Sequence, residues 1–212
     1  PEVWTRDPDV ARFYRIGNTP YFYQDVIKGK DVEVYAQDPY KQTSHITKKM
    51  HLVKTWCNMI GVKYNDEQPR LEFNFREIEE ARAYVSQFNI IHVCYEFHPR
   101  LNNCHRFDKI IGKKPLFAML AHTEKRILID SSLQHAANAL ELPSTVAWVA
   151  TQPEIFGYKR HNNFNTKAQY KNGTVDSYLY DYDFTGVIHQ CPYKDVQGEL
   201  HDTDAIVQSV LT

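Results

Sequence analysis

Three consecutive segments, RILID (126–130), SLQHAANAL (132–140) and STVAWV (144–149), constrain the fold more than any other part of the chain. The first and third are short apolar runs rich in β-branched residues, and the middle one carries its apolar residues at helical spacing. Strand, helix and strand joined by connections of a few residues make a βαβ unit, whose strands run parallel. The expected fold class is therefore α/β with a parallel sheet. The flanks extend the pattern. NFREIEEARAYVSQF (74–88) reads as a helix with acids in its first turn, where the macrodipole favours them. IIHVCYEF (90–97) reads as a strand, PLFAMLAH (115–122) as a short helix, and the chain ends in a helix capped by Asp202 or Thr203.

The first third is less regular. SHITKKMHLVKTWCNMIG (44–61) has apolar residues at helical spacing, with Ser44 as the expected N-cap and Gly61 as the terminating residue. The polar, proline-containing KYNDEQPRLEF (63–73) suits a linker between two domains. The first residue is Pro1, and the chain is expected to begin inside a longer protein.

Charge and cysteines exclude several classes. With 25 Lys+Arg against 26 Asp+Glu, no broad basic surface for nucleic acid is expected. Cys57, Cys94, Cys104 and Cys191 form no CxxC pair, so a reducing cytoplasm is the expected location. No apolar run is long enough to span a membrane. CYEFHPRLNNCH (94–105) gathers Cys94, His98, Cys104 and His105, but not at the spacing of a standard zinc finger, and no metal site is assigned.

In a parallel sheet, ligands bind at the carboxyl ends of the strands. Asp130 stands at such an end, Ser131 or Ser132 caps the next helix, and Gln134 and His135 fall in its first turn. Free N–H groups and the positive dipole end make that corner attractive to phosphate. The loop after the next strand, ATQPEIFGY (150–158), would open on the same edge and bring Thr151, Gln152, Phe156 and Tyr158 beside Asp130. Two readings stay open: a ligand corner, or ordinary capping with an unremarked helix histidine. Glu96, past an earlier strand, is a candidate for a nucleotide ribose or a plain surface acid. Lys159, Arg160 and His161 are either anion-neutralising or a solvated basic loop. YLYDYDF (178–184) fits a sugar-gripping surface or a half-buried strand.

LIDSSLQHAANALELPSTVAWVATQPEIFGYKRHNN resembles the donor-binding half of the glycosyltransferase family that contains the ADP-heptose:lipopolysaccharide heptosyltransferases. Asp130, Ser131, His135, Ala136 and Ala137 match that family's Asp-[Ser/Thr]-Gly-x-x-His-x-Ala-Ala element, and Pro143 and Pro153 match its following turns. The resemblance implies a GT-B fold of two Rossmann-like domains, with 1–65 part of an incomplete N-terminal, acceptor-side domain and 66–212 the donor domain. It implies inverting, metal-independent transfer of a sugar from a nucleotide-diphosphate donor to a glycan, lipid-linked or protein acceptor, with no cofactor. Asp130, Ser131, Ser132, Gln134, His135, Thr151, Gln152, Glu96 and Tyr158 are the expected donor contacts. Ser132 departs from the family's glycine. The N-terminal strand with its glycine-rich turn is missing, and the family's usual general-base carboxylate belongs to that region, so no catalytic residue is assigned. SQFNIIHV runs from helix to strand where relatives insert further elements. A non-catalytic nucleotide-sugar-binding or scaffold domain is the alternative.

Overall fold

The structure, a computed structural model, describes residues 8–10, 21, 23–31, 33–35, 50–90, 92–94, 104–106, 113–148, 151–166 and 200–212. The βαβ unit is present as the sequence pattern predicts: β3 (Lys125–Ile129), α4 (Ser132–Ala139) and β4 (Thr145–Trp148). Before it come α1 (Leu52–Met59), α2 (Phe75–Gln87), β1 (His92–Cys94), β2 (Cys104–Arg106) and α3 (Lys113–Leu120). After it come α5 (Pro153–Phe156), β5 (Asn162–Asn165) and α6 (Thr203–Leu211).

The five strands form one sheet in the order β2-β1-β3-β4-β5, and every neighbouring pair is parallel. The chain thus steps outward from β1 to β2, returns past β1 to β3, and then proceeds the other way. The switch point lies between β1 and β3, where parallel α/β sheets open a ligand crevice at their carboxyl ends. Asp130 is the first residue after β3 and stands on that edge.

Both faces of the sheet are covered. Leu128 and Val146 have no exposed surface, and they pack with Val85, Phe117, Leu120, Leu133 and Ala137 from α2, α3 and α4. On the other face, Val207 and Val210 of α6 pack against Ile127. Residues 126 to 128 therefore alternate between the two layers, as a strand requires. Each fully buried Leu or Val contributes about 1.5–3 kcal/mol over its exposed state.

Polar devices set the ends of the elements. Asn74 and Glu77 close a capping box on α2, with Glu77 N–H donating to Asn74 Oδ1 at 2.7 Å and Asn74 N–H to Glu77 Oε2 at 2.8 Å. Arg126 is buried, and its guanidinium donates to the carbonyls of Leu120 (2.9 Å), Thr123 (2.5 Å), Pro143 (3.2 Å) and Glu124 (3.3 Å). Among the described residues its partners are main-chain oxygens alone, and they fix the turn into β3 and the turn into β4 together. Asp202 caps α6, and Gly61, at φ +72°, follows α1 as expected.

Several expectations change. The first helix starts at Leu52 with His51 as its N-cap, and Met50 precedes it outside the helix; Ser44 lies outside the described residues. His51 can cap because its Nδ1 accepts from Val53 N–H at 3.4 Å. Of the two readings of Lys159, Arg160 and His161, the solvated loop does not hold for His161, which is buried where the chain turns into β5. Within the segment expected as a linker, Leu71 and Phe73 pack on the main core and Asn138 donates to Gln68 Oε1 at 2.8 Å. Glu96, His98, Cys191 and the 178–184 segment lie outside the described residues, as do the side chains of Cys94, Cys104 and His105.

Gly157 is where backbone and side chain meet most closely. A Cβ there would lie 2.7 Å from Pro153 O and 2.9 Å from Trp148 Cζ2, and Trp148 is 1% exposed. Neither neighbour can yield cheaply. Gly157→Ala is expected to cost about 1–3 kcal/mol, read as a lower urea midpoint with an unchanged slope.

Candidate functional site

The corner after β3 is built by local capping. Ser131 takes the extended conformation (φ −160°, ψ 175°), and its Oγ accepts from Leu133 N–H at 3.3 Å. Ser132 opens α4 and is exposed. Its φ is not positive, so the backbone here does not require the glycine of the resembling family. Asp130 follows the strand half-buried, and Thr151 Oγ1, arriving from the loop after β4, donates to its Oδ2. Burial holds the Asp130 carboxyl above its ordinary range, while bonds from the Thr151 and Gln134 side chains pull it back. Among the described residues no Lys or Arg pairs with it. Gln152 is the N-cap of α5.

A second group of polar side chains surrounds Tyr158. Its hydroxyl lies 2.8 Å from His135 Nδ1, with the two rings edge to face. The rings of His51 and His161 flank it at 5.6 and 5.9 Å. His51 Nε2 donates to Gly157 O at 3.0 Å, which fixes its proton on Nε2 and leaves Nδ1 to cap α1. His161 Nε2 donates to Gln134 O at 3.0 Å, and its buried Nδ1 has no hydrogen-bond partner among the described residues.

Gln134 connects these groups. It has no exposed surface, and its Nε2 donates to Phe156 O at 2.9 Å. That nitrogen is also 3.2 and 3.3 Å from both ring nitrogens of His135. Near-equal distances describe an amide lying on the ring rather than a bond to either lone pair. The Tyr158 hydroxyl is pushed up to about 12, by burial first and then by Tyr64 and Asp130.

Of the residues expected to hold a donor, Asp130, Ser131, Ser132, Thr151 and Gln152 stand at the carboxyl edge. His135, Gln134 and Tyr158 form a layer behind it, reached along the first turn of α4. Glu96 is outside the described residues. Sequence reading missed His51 and Tyr64, because they come to Tyr158 from about a hundred residues away and carry no local pattern. It also missed the burial of His161, which a polar KRHNN run conceals.

Beside Tyr158 opens a groove of about 710 Å³, lined by His51 and Tyr64 on one side and by Asn138, Glu154 and Lys159 on the other. Among the described residues no group of three His, Cys, Asp or Glu side chains could hold a metal ion, and no helix is long and apolar enough to cross a membrane.

No protein-family model and no curated protein matches the sequence. Among solved structures, the crystal structure of the glycosyl transferase family 9 protein from Veillonella parvula DSM 2008 is similar at 11% identity and a TM-score of 0.42. The match covers 62% of this chain and 50% of that one, so the chain spans about half the length of that structure. This is a distant likeness of fold.

The histidines make the layer behind the corner sensitive to acid. Burial, and next the neighbouring His51, lower the pKa of His135 from 6.5 to about 4. Between those values the unfolded chain binds the extra proton and the native one does not, so stability falls as pH drops through this window. The expected loss from His135 is about 2 kcal/mol between pH 7 and pH 5. Burial also lowers His51 and His161, which act in the same direction. Urea midpoints at pH 7 and 5 check this: His135→Asn should lose less than wild type, and a flat wild-type midpoint contradicts the assignment.

Proposed function

We propose that the chain is the donor-binding part of a glycosyltransferase that uses a nucleotide-diphosphate sugar, with residues 1–65 belonging to an acceptor-side domain. The observation that carries this reading is the Asp130–Thr151 pair on the carboxyl edge of an all-parallel sheet, next to its switch point. Thr151 bonds Asp130 Oδ2, and the lone pairs that the Thr151 and Gln134 side chains do not use can accept from sugar hydroxyls. A half-buried carboxylate that no cation among the described residues pairs with is costly for the fold, and such costs cluster where a ligand is bound. The motif that Asp130, Ser131 and His135 share with the heptosyltransferase family supports the same assignment.

The diphosphate would rest at the N-terminus of α4. Ser131 Oγ accepts from Leu133 N–H and so retains its own proton for a phosphate oxygen, and the exposed Ser132 adds a second hydroxyl. In the transfer, an acceptor hydroxyl oxygen attacks the anomeric carbon from the face opposite the diphosphate. The carbon–oxygen bond to the diphosphate breaks, and the hydroxyl proton passes to a base outside the assigned residues. Inversion follows from that single displacement. The helix terminus and the serine hydroxyls stabilise charge on the leaving group, and this route needs no metal. A cytoplasmic setting, where nucleotide sugars are made, accords with the scattered cysteines.

Calorimetry with ADP-heptose, ADP-glucose, GDP-mannose, UDP-glucose and UDP-N-acetylglucosamine tests the reading. At least one should bind, and Asp130→Asn should weaken it about tenfold or more. The same substitution should leave stability at pH 7 equal or higher. The folded pKa of Asp130 lies above the unfolded value, so ionising it costs stability as pH rises, and asparagine removes that cost. Absence of binding to all five donors overturns the proposal; binding without sugar transfer by the complete protein reduces it to a nucleotide-sugar-binding domain.

A further inference from the structure

The groove beside Tyr158 is separate from the Asp130 corner. Asn138, on its wall, lies seven residues beyond Ser131 on α4, about 10 Å along the helix axis. Its other walls are α5, the loop from Gly157 to Arg160, and the extended segment through Tyr64 and Gln68. Its volume of about 710 Å³ is that of a ligand site.

The lining has an unusual chemistry for a pocket of this size. Among the described residues it contains no Leu, Ile, Val, Met or Phe, so these walls offer little to a lipid or an apolar ligand. It presents instead the rings of Tyr64, Tyr158 and His51 beside planar amides and carboxylates. These groups are braced before any ligand arrives. Tyr64 donates to Asp66 Oδ1 at 2.9 Å, Gln68 Nε2 to Asp66 O at 2.8 Å, and Asn138 Nδ2 to Gln68 Oε1 at 2.8 Å. Asn163 Nδ2 donates to Tyr158 O at 3.2 Å and holds the loop. The bracing leaves Asn138 Oδ1, Asp66 Oδ2 and the Glu154 carboxylate as acceptors, with Lys159 as a donor on the rim beside Arg160, whose guanidinium bonds Glu141. Acceptors and donors in one lining with aromatic rings suit a ligand with many hydroxyls and apolar C–H faces. Asp66 and Glu154 disfavour a polyphosphate at the same place.

We propose that this groove is a saccharide-binding site, independent of what occupies the Asp130 corner. The ring faces stack on sugar C–H surfaces, and the carboxylates and amides take adjacent hydroxyls in pairs.

Calorimetric titration with maltotriose, chitotriose and a hyaluronan tetrasaccharide, each to about 10 mM, tests it. At least one should bind with about millimolar affinity or tighter, and Tyr64→Ala and Glu154→Gln should each weaken it about fivefold or more. Circular dichroism confirms folding; should Tyr64→Ala fail to fold, Glu154→Gln, at an exposed carboxylate, carries the test. Absence of binding by all three overturns the proposal. So does binding that both groove variants leave unchanged, or that Asp130→Asn weakens as much as they do, since the sugar would then sit elsewhere. Nucleotide-sugar binding at the corner should be unaffected by Glu154→Gln, which keeps failure of the groove distinct from failure of the donor site.

Discussion

Gln134 is the side chain on which the rest of the site depends. It has no exposed surface, and an amide so placed costs stability unless it is hydrogen-bonded. Its Nε2 is held by the carbonyl of Phe156, and its own main-chain oxygen receives His161. One residue in the first turn of α4 thereby fixes the end of α5 and the entry to β5. Everything between those two points, Gly157 to Arg160, must follow the path they set. Tyr158 is delivered onto His135, and the Gly157 carbonyl is turned toward His51. The distant 51–68 segment closes on a surface that the buried amide has already shaped.

The two ends of α4 then face different chemistry. At its N-terminus the capping Ser131 and the adjoining Asp130 make a polar edge beside the switch point, suited to an anion and a hydroxylated ring. Toward its C-terminus Asn138 joins a wall of braced amides and aromatic rings. His135 and Tyr158 lie between, neutral because burial lowers one and raises the other. A neutral layer keeps charge at the corner from being cancelled by imidazolium and lets the tyrosine act as a rigid wall. Acid is the natural disruptor of this arrangement, because protonating any of three histidines puts charge into the same crowded volume.

The sequence made the βαβ unit plain because β3, α4 and β4 each bury residues with the period of their own element. Helix ends were legible where the cap is local, as at Gly61, Ser131 and Asp202. They failed at His51, whose imidazole does what serine does elsewhere, and no propensity distinguishes such a histidine from any other. β5 was hidden because Asn162–Asn165 has neither apolar alternation nor β-branched residues. It is a strand because β4 offers it an edge, which is a tertiary fact. The Asp130 corner could be read from residues adjacent in the chain, whereas the groove could not, since its walls come from segments about seventy to a hundred residues apart.

The run from Gly157 to Asn163 shows why a site of this kind resists reading from sequence. Gly157 is small because Trp148 and Pro153 leave no room for a Cβ. Tyr158 packs among three histidines. His161 is buried to bond a helix carbonyl, and Asn163 satisfies the indole N–H of Trp148 at 2.8 Å while its amide nitrogen bonds the Tyr158 and His161 carbonyls. Lys159, Arg160 and Asn162 are the exposed residues of the run, and Arg160 Nη1 donates to the Glu141 carbonyl at 3.4 Å. Composition alone describes this stretch as a basic, hydrophilic loop, and hydrophilic it is. Its polar groups are spent on one another and on the sheet, however, so polarity here reflects internal bonding that fixes a pocket wall. The sequence property that would mark a mobile loop is, in this fold, what holds the loop still.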